Sequence, residues 1–107
     1  MSKTVNLIDA LKEFRDARDW AQFHNPKDLA LALSIEAAEL NELFLWRTHE
    51  EVDPTGVAEE LADVLAYALL LLDAYGLDLD DIVRKKIAIN EKNYPVEIAR
   101  GNADKHH

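Results

Sequence analysis

The chain has 107 residues, the length of one domain, and carries 12 Lys+Arg against 21 Asp+Glu for a formal net charge of −9. That acidic balance argues against non-specific binding of nucleic acid or anionic membrane, both of which require a basic footprint. A hydrophobic share of 49%, no cysteine and three scattered glycines describe a globular chain without disulfides, thiolate zinc sites, cysteine nucleophiles or glycine-rich phosphate loops.

The spacing predicts four helices. The first is expected over 5–20, with Thr4 as N-cap and Leu7, Leu11, Phe14 and Arg18 at helical intervals. The second has a clear start, in which Asn25 caps, Pro26 suits the first helical position and Asp28 puts an acid in the first turn. It is expected to run to Arg47. The third opens the same way on Asp53 and Pro54 and closes at Gly76. The fourth has Asp78 as cap with Asp81 three residues on, and ends near Asn93, before Tyr94 and Pro95. Residues 1–100 therefore read as a single all-α, four-helix domain. A polar, loosely held tail is expected after Pro95. Its last part, 101–107, ends in Lys105, His106 and His107 and resembles the start of a purification tag, so those two histidines enter no metal argument.

The third helix is unusual. Leu61, Val64, Leu65, Leu69, Leu70, Leu71 and Leu72 occupy nearly every face. A helix apolar all round has to be covered all round, which a four-helix chain of this size does not easily do alone. A homo-oligomer with the third helix in the shared core is expected. The apolar run 61–72 contains Asp63 and is too short for a membrane span, which takes about 20 residues. No signal peptide is visible, so the cytoplasm is the expected compartment.

Chemistry enters with the acids. Glu36 and Glu39 are three apart and share a helix face bracketed by Leu29, Leu33, Leu40 and Leu43. Glu60 and Asp63 repeat the spacing on the third helix, with Asp63 inside the leucine run. Each of two helices thus turns a pair of acids toward the interior. Burying carboxylates together is costly unless cations neutralise them. An all-oxygen ligand set suits Mg²⁺ or Mn²⁺ and not zinc, and points to metal-assisted attack of water on a phosphate chain. Glu50, Glu51 and Glu59 read instead as solvated surface. Arg84, Lys85, Lys86, Asn90 and Lys92 offer donors for phosphates, although a basic stretch near a helix C-terminus is commonly a solvated face. Trp20, Phe23, His24, Trp46 and Tyr67 are rings that either stack a nucleobase or pack a core.

The E-x-x-E of Glu36 and Glu39 and the E-x-x-D of Glu60 and Asp63 resemble the MazG-like, all-α nucleotide pyrophosphohydrolases. The stretch from Asp19-Trp20 to Phe23-His24, the Leu45-Trp46 pair, Glu60 to Val64, and Asn90 with Tyr94-Pro95 are similar to the short dCTP-pyrophosphatase branch, over roughly residues 5 to 101. The resemblance implies a Mg²⁺-dependent enzyme that cleaves a nucleoside triphosphate between its α and β phosphates, with dCTP and modified dCTP favoured, as nucleotide-pool house-cleaning. It implies that Glu36, Glu39, Glu60 and Asp63 hold the metal and that one of them orients the attacking water. It further implies that Trp20, His24, Trp46 and Tyr67 line the base and sugar pocket, that Lys86 and Asn90 reach the phosphates, and that the bundle assembles as a dimer or tetramer. Two other readings compete. One is a relative acting on dUTP or phosphoribosyl-ATP, against which the aromatic set around Trp20 and Trp46 speaks. The other is a non-catalytic oligomeric helical module with a structural cation site.

Overall fold

A computed structural model describes residues 2–101. The remainder of the tail, with its tag-like end, lies outside the described residues. The described chain is helical, with α1 (Lys3–Ala17), α2 (Pro26–Glu42), α3 (Pro54–Ala74), α4 (Leu79–Asn93) and α5 (Val96–Ala99), and with 3-10 turns at Trp20–Phe23 and His49–Glu51. It forms two compact units, the first ending at Gly76 and the second beginning at Leu77.

In the first unit α1 starts before Thr4. The Ser2 hydroxyl accepts from the Val5 N–H at 3.1 Å and takes the capping role, which leaves Thr4 inside the helix. The helix also ends earlier than expected, at Ala17. Asp19 adopts φ 56°, a left-handed conformation that a short polar side chain tolerates, and Trp20 therefore begins a separate turn. Of the expected inward stripe only Leu11 is kept. Ile8 is buried and Leu11 and Arg15 are half-buried, while Leu7 and Phe14 face solvent. Arg18 lies over the Phe14 ring, 3.6 Å from its centroid, and donates to the Phe14 carbonyl oxygen at 2.9 Å.

The second start signal works as read. Asn25 Oδ1 accepts from the Asp28 N–H at 2.9 Å, and Asn25 Nδ2 donates to Asp28 Oδ2 at 2.7 Å. But α2 stops at Glu42, short of Arg47. Beyond it the backbone tightens into three-residue bonds, with the N–H groups of Leu43 and Phe44 donating to the carbonyls of Leu40 and Asn41, and Trp46 takes φ 64°. Glu51 is more than solvated surface: its Oε1 accepts from the Thr48 N–H at 2.8 Å and closes a capping box over the short turn that leads to buried Val52. Asp53 then caps α3 through the Thr55 N–H, and α3 closes at Gly76, whose φ of 62° glycine adopts without steric cost.

Helix α3 packs on both α2 and α1. The buried apolar side chains among the described residues are Ile8, Leu29, Val52, Leu70 and Leu72, all in this unit. Lys12 and Asp73 pair across α1 and α3 at 3.4 Å, a half-exposed contact worth at most about 1 kcal/mol. Two apolar stripes stay open, Leu31 and Ile35 on α2 and Leu61 and Leu65 on α3.

In the second unit Asp78 caps α4 by accepting from the Asp81 N–H, and Arg84–Asp80 and Lys85–Asp81 pair one turn apart on its surface. Where a loose tail was expected after Pro95, Val96–Ala99 forms a one-turn helix. The proline that ends α4 opens it, and its carbonyl accepts from the N–H groups of Ile98 and Ala99. Among the described residues no helix is long and apolar enough to cross a membrane.

Candidate active site

Packing of α2 on α3 brings the two acid pairs together. Carboxylate oxygens of Glu36, Glu60 and Asp63 all lie within 4.8 Å of one another. Glu39 lies close enough that its charge acts on both Glu36 and Glu60. The four do not all point inward, as their leucine settings suggest. Glu36 and Glu60 are half-buried, whereas Glu39 and Asp63 are exposed. Spacing accounts for this. Three residues turn the helix through about 300°, so the second acid of each pair sits about 60° around from the first. The first is tucked against the facing helix and the second stands at its rim.

Crowding shows in the electrostatics. The Glu36 carboxyl is pushed up to about 7, first by the hydrogen bond its protonated form makes with Glu39, then by desolvation and by the charges of Glu39, Asp63 and Glu60. Glu60 is raised too, first by desolvation and then by the charges of Glu39 and Asp63. Glu36 Oε2 and Glu60 Oε2 are both out of water and have no hydrogen-bond donor. Two orphaned anionic oxygens that face a third carboxylate fit a hard divalent cation and no arrangement of protein donors seen here. The donor set is all oxygen, so the four acids suit Mg²⁺ or Mn²⁺.

Asp63 also lines a cavity of about 340 Å³ within the first unit, together with Trp20, His24 and Tyr67. His24 and Tyr67 meet edge to face with centroids 6.2 Å apart, and Trp20 meets Phe14 in the same manner at 5.7 Å. His24 Nδ1 is buried without a partner. Burial, and after it the Arg15 charge, hold His24 below the ordinary imidazole range, so its ring is neutral at pH 7. Three of the four rings assigned to a base pocket, Trp20, His24 and Tyr67, therefore share one cavity with an acid of the quartet. Trp46 does not line it and is 99% exposed. Lys86 and Asn90 stand one turn apart on α4, in the second unit, and both are exposed. Arg84 and Lys85 are engaged by Asp80 and Asp81.

The reading of the sequence missed the cavity's contribution from α1, namely Leu11, Phe14 and Arg15. A signal for Arg15 exists. It follows Ile8 and Leu11 at intervals of three and four, which puts a cation in an otherwise apolar stripe.

The site is thus an all-α packing of two helices, each presenting an acid pair to the same point beside an aromatic cavity. The sequence model of the MazG-like family matches residues 31–107, and the chain belongs to that family. It is 42% identical over 102 residues to dCTP pyrophosphatase 1 of Homo sapiens and 41% identical to that of Bos taurus, covering 88% of this chain in each case. The chain spans 60% of the length of these relatives. It is also similar to the crystal structure of a pyrophosphatase from Archaeoglobus fulgidus, with a TM-score of 0.82 and 41% identity over 89% of this chain and 94% of that one.

Proposed function

We propose that this chain is a Mg²⁺-dependent nucleoside triphosphate pyrophosphohydrolase that cleaves dCTP and modified dCTP to the monophosphate and pyrophosphate. The observation that carries this reading is the junction at Asp63, where a four-acid cluster with two orphaned oxygens adjoins a ring-lined cavity. A phosphate chain belongs with the acids and their cation, and a base belongs with the rings. The relatives named dCTP pyrophosphatase 1 support cytosine as that base.

In this reading Glu36, Glu39, Glu60 and Asp63 hold the ion, and one of them orients the attacking water. Bound Mg²⁺, or Mn²⁺, would neutralise phosphate charge and make a water nucleophilic at neutral pH. Trp20, His24 and Tyr67 stack and orient the nucleoside, and Trp46 adds a further ring. Lys86 and Asn90, on α4, are side chains whose donors suit phosphate oxygens. The open stripes at Leu31, Ile35, Leu61 and Leu65 support a homo-oligomer, dimeric or tetrameric. The cytoplasm, where nucleotide pools are kept, is the compartment that goes with this reading.

The test is release of pyrophosphate from the four deoxynucleoside triphosphates and dUTP, with and without Mg²⁺. dCTP should be turned over best and EDTA should stop the reaction. Equal or better turnover of dUTP overturns the base assignment. The absence of pyrophosphate from every substrate overturns the enzyme and leaves a cation-stabilised helical module.

A further inference from the structure

The cavity beside the acids contains a cation for which the function proposed above has no task. Arg15 projects from α1 into its lining, among Phe14, Trp20, His24 and Tyr67. Its side chain is only 18% exposed. Its Nε donates to Asp16 Oδ1 at 3.0 Å, which anchors the guanidinium from behind. The remaining four N–H groups have no acceptor among the described residues of the first unit, and Asp63, the carboxylate that shares the cavity, forms no ion pair with it. Those donors remain open to the water of the cavity, and a ligand acceptor placed there replaces that water with a charge-assisted bond to a pre-oriented planar fork. The charge of Arg15 also acts on His24, which sets it at the ring-lined part of the cavity.

We propose that Arg15 is a specificity-determining residue that reads the base, its planar fork donating in parallel to O2 and N3 of cytosine. This rests on the nucleotide reading of the site and deepens it. Cytosine presents two adjacent acceptors on that edge, whereas uracil and thymine carry a hydrogen on N3 and would set donor against donor. The fork therefore selects cytosine over the other pyrimidines without contacting the 5-position, so 5-substituted cytosines remain substrates. Stacking rings accept any base, and Arg15 supplies the discrimination they lack.

The experiment compares wild type, Arg15→Met and Arg15→Lys in steady-state pyrophosphate release from dCTP and dUTP, with melting temperatures recorded for each. Arg15→Met keeps the length and removes every donor. It should raise KM for dCTP about tenfold, with a smaller change in kcat, and bring the dCTP-to-dUTP ratio of kcat/KM close to one. Arg15→Lys, a single-point donor, should fall between. An unchanged ratio in Arg15→Met overturns the proposal, and so does an equal loss on both substrates, which is the behaviour of a phosphate contact. A second measurement needs neither a folded variant nor turnover: calorimetric titration of wild type with dCMP and dUMP without divalent cation. Tighter binding of dCMP supports base reading by Arg15, and equal binding overturns it. Wild type that binds dCMP selectively yet releases no pyrophosphate would sink the enzymatic function and leave the base-reading site standing.

Discussion

Glu36 and Glu60 bear the cost of the acid cluster, because they are the members drawn out of water. The folded state holds the Glu36 proton up to about 7, against an ordinary value of 4.5. Such a group stabilises the fold fully below its unfolded value, and that contribution is lost as pH rises through the folded value. Metal-free protein in EDTA should therefore lose melting temperature between about pH 5 and about pH 7.5, and Glu36→Gln should flatten that slope. Mg²⁺ should raise the melting temperature most at the upper end of this range, where the carboxylates are charged. A wild-type slope no steeper than that of Glu36→Gln would remove the electrostatic basis for a cation site. Glu39→Gln separates the roles further. It removes a negative neighbour from both Glu36 and Glu60, so metal-free stability should not fall, while turnover of dCTP should drop at least about a hundredfold. A variant that melts earlier in EDTA yet keeps its turnover would mean that Glu39 braces the bundle and does not serve the reaction. Trp46 differs from these. It is fully exposed with φ 64°, so Trp46→Ala should leave the melting temperature unchanged while weakening nucleotide binding, as checked by calorimetry alongside KM.

The site stands on two helix starts. Asn25 fixes where α2 begins, and so at which turn Glu36 and Glu39 meet α3. Asn25→Ala removes the acceptor for the Asp28 N–H and should cost about 1 kcal/mol, read as a lower urea midpoint with an unchanged slope. No loss would mean that solvent satisfies the first turn as well as the cap does. These starts were legible in the sequence because Asn25-Pro26 and Asp53-Pro54 combine a capping oxygen with a ring that pre-sets the first helical residue. The acid pairs were legible because spacing three puts two side chains on adjoining faces whatever surrounds them. The helix ends were not. Asp19 ends α1 by adopting left-handed backbone, and α2 gives way after Glu42 to three-residue bonds before Trp46 turns left-handed; neither stop carries a glycine or proline to announce it, so both ends fall several residues inside the expected ones. The inward face of α1 keeps Leu11 but takes Ile8 and Arg15 in place of Leu7 and Phe14, and that is why Arg15 was not among the expected site residues.

At the scale of the whole molecule the issue is how little of the apolar surface one protomer covers. Ile8, Leu29, Val52, Leu70 and Leu72 are the buried apolar side chains among the described residues, a thin core for a chain of this length. Meanwhile Leu31 and Ile35 on α2 and Leu61 and Leu65 on α3 are each 42–58% exposed. Each pair is one turn apart, so each forms a continuous ridge suited to the groove of another helix. Covering a leucine or isoleucine fully is worth about 1.5–3 kcal/mol, so closing these half-open ridges in a second copy gains several kcal/mol per protomer. The melting temperature of wild type should therefore rise with protein concentration, as mass action requires when association stabilises the fold. Leu65→Glu, a charge placed in the middle of the α3 ridge, should shift the species seen by sedimentation velocity to monomer, abolish the concentration dependence and lower the melting temperature. If wild type sediments as a monomer at micromolar concentration and melts at one temperature across a hundredfold dilution, the exposed leucines are an ordinary solvated face, and the all-round apolar character of α3 needs another cause.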